Sequence, residues 1–213
     1  MINKTQWVLW FLIMTYLSGY SQQQQIPPKE IEIIRQKVHE AAKRANTIES
    51  NFVQEKEMSV LSEKITSSGI FYFKKEKKLR WEYTDPFPYL IIINNNQMFV
   101  KDDNTENRIN MQSNKVFREI NNVILGAVQG VLLNDQKNFQ ASYSDARTWY
   151  VVKLIPQAAK IKESLSEIIL YFNKMDYSVE RLLMREGSGD YTRIEFRDKK
   201  INLPIDDEKF RIP

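Results

Sequence analysis

The first periodic stretch of apolar residues begins at Lys29, where they recur at steps of three or four positions. These residues are Ile31, Ile34, Val38, Ala41 or Ala42, Ala45 and Ile48. The spacing places them on one stripe of an amphipathic helix, with Glu32 and Lys43 on the opposite face. Pro27 and Pro28 come directly before the stretch and suit the first turn of this helix.

From about Asn51 the pattern is that of short β-strands separated by turn residues. The predicted strands of the first group are Phe52–Leu61, Gly69–Lys75, Lys78–Tyr83, Tyr89–Ile93, Gln97–Lys101 and Glu106–Met111. Those of the second group are Phe139–Ser144, Thr148–Ile155, Glu167–Asn173, Val179–Glu186 and Tyr191–Lys199. The connections within each group are too short for the crossover helix that joins parallel strands, which favours antiparallel pairing.

A second helical stretch lies between the two groups of strands, over Asn121–Asn134. Its apolar face is made of Val123, Ile124, Ala127, Val128, Val131 and Leu132. Gly126 and Gly130 each weaken this helix by about 1 kcal/mol relative to alanine. Because a single sheet of about eleven strands curls, we expect a mainly β fold with helices, of the α+β class. The expected architecture is an unclosed antiparallel β-barrel with the helices laid across its open mouth.

Residues 1–21 have the layout of a secretory signal peptide. Lys4 supplies the positive charge, and Trp7–Leu17 is mostly apolar but shorter than the ~20 residues of a membrane-spanning helix. Gly19 and Ser21 suit a cleavage site, so we expect cleavage after Ser21 and one exported domain over residues 22–213. The alternative interpretation is an uncleaved anchor helix.

Composition and motifs exclude several kinds of chemistry. The chain has no cysteine, which excludes disulfides, thiolate metal sites and a cysteine nucleophile, and its single histidine, His39, excludes a multi-histidine metal site. A Ser-His-Asp hydrolase would need His39, which falls on the polar side of the first helix, and no G-x-S-x-G motif occurs. The net charge of +4 is spread along the chain and does not indicate nucleic acid. No glycine-rich phosphate loop occurs, and no cofactor or metal is expected.

Several predicted strands are apolar on both faces. In a sheet with one face exposed to solvent, apolar and polar residues would alternate along each strand. The clearest are Ile70–Phe73, Leu90–Ile93 and Ile168–Phe172. Either the sheet is covered on both sides in an ordinary core, or one face encloses a cavity for an apolar ligand. Periodicity alone does not decide between these two interpretations.

Four segments, taken in order, resemble the LolA-type outer-membrane lipoprotein carriers. They are Phe52–Gln54, Gly69–Phe73, Leu79–Pro86 and Ile205–Phe210. The resemblance implies an unclosed barrel with a helical lid over an apolar cavity, and a carrier in the periplasm rather than an enzyme. It also implies that acylated lipoproteins arrive from an inner-membrane ABC transporter, travel with a monomeric carrier and pass to an outer-membrane receptor.

Within this resemblance, Leu79, Trp81 and Tyr83 share one face of a strand, and we expect that face to line the lipid-binding cavity. The expected neighbours on adjacent strands are Phe71, Phe73, Ile91 and Ile93. The apolar face of the second helix would be the underside of the lid, with its two glycines as a hinge, although plain core packing remains the alternative. Trp81→Glu is expected to abolish uptake of acyl chains without unfolding the protein.

Two positions depart from the family pattern: Val100-Lys101-Asp102 replaces a common Tyr-Asp pair, and the other departure concerns the lid. Many relatives carry an Arg-Pro pair in the hairpin before the tryptophan strand, and that arginine holds the lid shut. Here Lys75-Glu76 stands in its place, and lysine lacks the planar fork of donors that arginine has. Lys75 is therefore a candidate for a weaker latch. Three other functions stay open: a carrier of another lipid or glycolipid, a periplasmic ester hydrolase, and a structural protein of the envelope.

Overall fold

The fold is known from a computed structural model, which describes residues 24–61, 63–75, 77–95, 97–110 and 115–213. The predicted signal peptide, residues 1–21, and its cleavage site lie outside the described residues. Glu76, the second residue of the hairpin pair, lies outside them as well.

Twelve strands form one sheet in which every pairing is antiparallel. In chain order the strands are β1 (Gln24–Gln25), β2 (Thr47–Glu57), β3 (Ile65–Lys74), β4 (Lys78–Asp85), β5 (Tyr89–Asn94), β6 (Gln97–Lys101), β7 (Glu106–Asn110), β8 (Phe139–Ala146), β9 (Trp149–Pro156), β10 (Glu167–Asn173), β11 (Val179–Arg185) and β12 (Tyr191–Ile201). Their spatial order is β1-β8-β9-β10-β11-β12-β2-β3-β4-β5-β6-β7. No pairing among the described residues joins β7 to β1, so the barrel is unclosed. The predicted fold class is confirmed.

Helices cover the concave side of this sheet. They are α1 (Pro28–Arg44), α2 (Lys115–Val128) and the single turn α3 (Ala159–Lys162), with 3-10 turns at Val131–Asn134 and Asp207–Phe210. The buried side chains of α1 and α2 belong to the same apolar core as the inner faces of the strands. In the described part of the chain, none of the helices has the length and apolar character needed to cross a bilayer.

The first helix ends earlier than its apolar pattern predicts. α1 stops at Arg44, and Ala45 already has extended backbone angles. Ile48, which the pattern assigns to the helical stripe, lies in β2 and pairs with Phe73 on one side and Ile201 on the other. The helical prediction was wrong for Ile48 because its spacing continues the stripe by coincidence, while its backbone pairs with two neighbouring strands.

The second helix also differs from the prediction over Asn121–Asn134. α2 ends at Val128, and Gly130 adopts a left-handed backbone with φ of 65°, a conformation that glycine reaches without a steric penalty. The chain then folds back, and Leu132 lies so close to Gly126 that a Cβ there would meet Leu132 Cγ at 2.7 Å.

The outer face of β3, β4 and β5 is covered by the end of the chain, residues 203–213, which we call the C-terminal strap. Ile205 and Phe210 of the strap pack with Tyr72 of β3 in a small second core. Asp207 pairs with Lys74 and Lys78, each at 2.9 Å. In this part of the sheet, strands that are apolar on both faces therefore lie between the main core and the strap.

Candidate ligand-binding cavity

The register of three neighbouring strands brings the predicted cavity residues onto one concave face. Phe71 pairs with Trp81 and Phe73 with Leu79, and on the other side of β4 Trp81 pairs with Ile91 and Leu79 with Ile93. Tyr83 continues the same face. All seven residues pack in the main core, and Tyr83 and Ile91 are the two that are only partly buried. Arg80 and Glu82 alternate with them and form an ion pair at 2.9 Å.

Five rings from this face and its neighbours form an aromatic cluster, defined here as Phe52, Phe71, Trp81, Tyr83 and Phe196. The Trp81 ring lies within 6.4 Å of the other four, counted between ring centroids. Tyr83 donates a hydrogen bond to Gln54 Oε1 at 3.1 Å, and burial raises the pKa of Tyr83 to about 12. The cluster fills this part of the barrel with side chains.

A cavity of about 230 Å³ lies beside the aromatic cluster, between the helices and the sheet. The helices and Ala45, which directly follows α1, contribute mainly small side chains to it: Val38, Ala41, Ala42, Ala45, Ala127 and Val128. The sheet contributes larger ones: Ile48, Phe71, Phe172, Val179 and Phe196. The space exists because alanines occupy the helix positions that face the sheet, where leucines would fill it.

The cavity opens at a rim that is more polar than its interior. The rim residues are Arg44, Asp176, Tyr177, Ser178, Lys199 and Asn202. A cavity with an apolar interior and a few polar groups at one end is the usual form of a site for an amphipathic ligand. Among the seven predicted strand residues, Phe71 lines this cavity, and the others pack in the core beside it.

The predicted lid residues fall into two groups. Val123, Ile124, Ala127, Val128 and Leu132 are buried, and of these Ala127 and Val128 line the cavity. Val131 is 46% exposed and does not face the interior, contrary to its assignment to the lid underside. The helical period ends before it, at the left-handed Gly130, so the spacing that places Val131 on the apolar face no longer applies.

Gly130 is also the point where the end of α2 touches α1. A Cβ at Gly130 would lie 3.0 Å from Val38 Cγ1 and 3.5 Å from Ala42 Cβ. The two helices therefore meet closely at the edge of the cavity.

Lys75 contacts α1 rather than the predicted lid on α2. Its ammonium group donates a hydrogen bond to the backbone carbonyl of Lys43, in the last turn of α1, and its backbone N–H donates to Asn46 O at 2.8 Å. The β3–β4 hairpin is thus tied to the end of α1 beside the cavity.

Lys199 lines the cavity and was not singled out from the sequence. β12 alternates regularly up to Arg197, and its pairing with β2 then shifts register before Lys200. Asp198 lies in this β-bulge with a φ of 52°. Because a bulge re-aims the side chains that follow it, Lys199 points to the side of Phe196 and Ile201.

The described residues offer little support for a histidine-dependent catalytic site or a metal site. His39 is exposed on α1 and is not among the residues that line the cavity. Across the described ranges, no three acidic or histidine side chains come together in a way that would hold a metal ion.

A half-open antiparallel barrel with helices across an apolar concave face belongs to the class of lipid-binding folds. More specifically, the chain belongs to the family of the outer membrane lipoprotein carrier protein LolA, which matches residues 43–213. Members of this family are carrier proteins rather than enzymes. The family that the sequence resembles is thereby confirmed.

Individual relatives are distant. An outer-membrane lipoprotein carrier protein of Halorhodospira halophila (strain DSM 244 / SL1) is 25% identical over 146 residues, which cover 68% of this chain and 64% of the relative, slightly less than two thirds of its length. A protein of the same name from Francisella philomiragia subsp. philomiragia is 27% identical over 154 residues, covering 70% of this chain and 68% of that protein. The crystal structure of the Mycobacterium tuberculosis lipoprotein LppX is similar in fold, with a TM-score of 0.50 at 12% identity over 84% of this chain and 99% of that one.

Proposed function

We propose that this protein is a periplasmic carrier that shields the acyl chains of lipoproteins released from the inner membrane and delivers them to the outer membrane. The observation that carries the proposal is the alanine-lined cavity between the two helices and the concave face of the sheet. Family membership and the names of the two curated relatives support the same function. The second candidate is a carrier of another lipid or glycolipid in the same cavity.

The energetics of the cargo explain why a carrier is needed. Burial of each methylene contributes about 0.8 kcal/mol. Exposing three acyl chains of roughly 14 methylenes each to water would therefore cost on the order of 30 kcal/mol. A lipoprotein with this anchor does not cross an aqueous compartment freely. An apolar cavity has to replace the bilayer during transit.

The size of the cavity indicates that loading requires movement of the helices. Its volume of about 230 Å³ is just below the roughly 300–1,000 Å³ of typical small-ligand sites. A triacylated anchor needs far more space than this cavity offers. We expect α1 and the end of α2 to move away from the sheet during loading, beginning at the contact between Gly130 and Val38.

Release of the cargo depends on the affinities of the carrier and of the next binding site for the acyl chains. No nucleotide is available to a periplasmic carrier, so the cargo leaves only if the next binding site holds the acyl chains better. We propose an inner-membrane ABC transporter as donor and an outer-membrane receptor as acceptor, with the carrier acting as a monomer. The hydrogen bond from Lys75 to the end of α1 is one interaction whose loss would ease opening.

The test is the identity of the molecule that the protein carries in its own cells. The protein is purified from the native envelope without detergent, and the bound material is identified by mass spectrometry. A triacylated lipoprotein supports the primary proposal, and free lipid or glycolipid supports the second candidate. Purification of empty protein that also takes up no fluorescent fatty acid would contradict both and would favour a structural role in the envelope.

A further inference from the structure

A lysine is an unusual component of an apolar cavity, because burying a charged group is costly unless other groups compensate it. Lys199 lines the cavity together with Phe172, Phe196 and Ile201 and is half-buried. Its desolvation lowers the pKa of Lys199 from the ordinary value of lysine, against the opposing effect of Asp176 and Glu180. The ammonium group therefore lies in a site that disfavours an uncompensated charge.

An irregular backbone conformation in β12 turns the side chain of Lys199 toward the cavity. Had β12 alternated regularly beyond Phe196, residue 198 would face inward and Lys199 outward. The bulge at Asp198, with its left-handed φ of 52°, reverses this order. Bulges are over-represented beside functional sites, where they re-aim a side chain.

The ammonium group of Lys199 does not use all of its hydrogen-bond donors within the protein. Lys199 Nζ donates to Ser178 Oγ and to the carbonyl of Val179, the latter at 3.1 Å. An ammonium group has three N–H donors, so one remains for a ligand or water. Within the part of the chain that the structure describes, Lys199 forms no ion pair.

The nearby carboxylates are engaged elsewhere. Asp176 Oδ1 accepts hydrogen bonds from Ser178 N at 2.9 Å and Ser178 Oγ at 2.8 Å. Glu180 accepts from the indole N–H of Trp149 and the side-chain amide of Asn173, each at 2.6 Å. The other charged group of the rim, Arg44 at the end of α1, adds a second positive charge.

We propose that the cavity binds an acyl chain whose headgroup is anionic, a carboxylate or a phosphate, and that Lys199 pairs with that headgroup at the rim. This inference rests on the proposed function in that the cavity receives an acyl chain, and it favours the second candidate, because the anchor of a triacylated lipoprotein is neutral. The chain lies among the alanines and phenylalanines, and the anion accepts the remaining N–H of Lys199. The ligand thereby forms the direct ion pair with Lys199 that neither Asp176 nor Glu180 forms, although both carboxylates act on its charge from nearby.

The test compares probes that share a chain and differ in headgroup. Binding of dodecanoate, dodecyl phosphate and dodecanol is measured by calorimetry for the wild-type protein and for Lys199→Met, Lys199→Arg and Lys200→Met. Lys200 is the matched control, since it follows directly in the chain, is exposed and pairs with Glu49 at 2.8 Å. Lys199→Met keeps the length of the side chain and removes its charge.

We expect the wild-type protein to bind one or both anionic probes about tenfold or more tightly than dodecanol. Lys199→Met should lose this preference and keep its affinity for dodecanol, while Lys199→Arg and Lys200→Met retain the preference. The stronger of the two anionic probes distinguishes a fatty-acid carboxylate from a phosphate headgroup. Equal affinity of the wild-type protein for all three probes, or an unchanged preference in Lys199→Met, would overturn the inference and leave acyl-chain binding intact. If no probe binds, the proposed function fails along with it.

Discussion

The ring of Phe52 stands edge-on to the ring of Trp81, with the centroids 4.6 Å apart and the planes at 83°. This contact joins β2 to β4 across β3 and anchors the aromatic cluster. Trp81 is 4% exposed, so it is a core residue of the barrel. Trp81→Glu would bury a carboxylate among four aromatic rings and destabilise the fold, contrary to the expectation from the sequence.

Trp81→Ala should lower the free energy of unfolding by about 3–5 kcal/mol, because it leaves a large void in the aromatic cluster. Urea denaturation followed by circular dichroism measures the loss. Trp149→Ala is the matched control, since Trp149 is only partly buried and stands edge-on to Tyr171, outside the cluster. Similar losses in the two variants would contradict the structural role assigned to Trp81.

Gly69→Ala should prevent β3 and β4 from pairing as they do. A Cβ on Gly69 would lie 1.9 Å from the carbonyl oxygen of Glu82, a backbone atom that does not move without breaking the sheet. We expect a loss of about 3 kcal/mol or more, seen as a large fall in the urea midpoint. Gly187→Ala is the control, because nothing lies within 4 Å of the added methyl group, and it should be tolerated. A stable Gly69→Ala protein would show that the register of this hairpin is different.

The free energy of unfolding should fall at alkaline pH because two buried tyrosines, Tyr83 and Tyr143, have raised pKa values. Burial raises the pKa of both Tyr83 and Tyr143 to about 12, from 10.0 in the unfolded chain. Between these values the unfolded chain releases protons that the folded protein keeps, so the free energy of unfolding falls as the pH rises. Urea midpoints measured from about pH 9 to about pH 11.5 test this, and Tyr143→Phe should fall less steeply than the wild-type protein.

The same two tyrosines should differ near neutral pH. The hydroxyl of Tyr143 is buried without a hydrogen-bond partner in the described residues, so Tyr143→Phe should leave stability unchanged or raise it by up to about 1 kcal/mol. Tyr83→Phe removes the hydrogen bond to Gln54 and should cost about 1 kcal/mol. A substantial loss in Tyr143→Phe would mean that its hydroxyl has a partner after all.

Much of the concave face is predictable from local alternation. Leu79, Trp81 and Tyr83 alternate with Arg80 and Glu82, and the observed register confirms that these two sets lie on opposite faces. Alternation suffices here because the sheet pairs regularly over this stretch, and each step along a strand turns the side chain to the other face.

Features that depend on distant pairing could not be predicted in this way. Lys199 faces the cavity because β12 is bulged against β2, a strand distant in the sequence. Val131 leaves the helical stripe because Gly130 turns left-handed where it meets Val38 of α1. The alanines of both helices were found on the apolar stripes, but the space between them and the sheet follows only from how the helices pack.

Lys75→Ala should release a bound fluorescent fatty acid about threefold to tenfold faster than the wild-type protein, since it loses the hydrogen bond to the carbonyl of Lys43. Stopped-flow transfer to lipid vesicles measures the rate. Lys29→Ala, at the exposed opposite end of α1, is the control and should release at the wild-type rate. Equal rates in all three proteins would show that Lys75 does not hold the cavity shut.

Binding of a fluorescent fatty acid to Ala127→Leu tests the central claim most directly, because the larger side chain would occupy the cavity itself. Ala127 lies on the buried face of α2, and Ala159→Leu, on exposed α3, adds the same group outside the cavity. Ala41→Leu fills the cavity from α1 and serves if the first variant proves unstable. We predict that the cavity-filling variant binds at least about tenfold more weakly, while its urea midpoint stays near that of the wild-type protein and Ala159→Leu binds normally. Wild-type affinity in a folded Ala127→Leu protein would show that acyl chains do not enter this cavity.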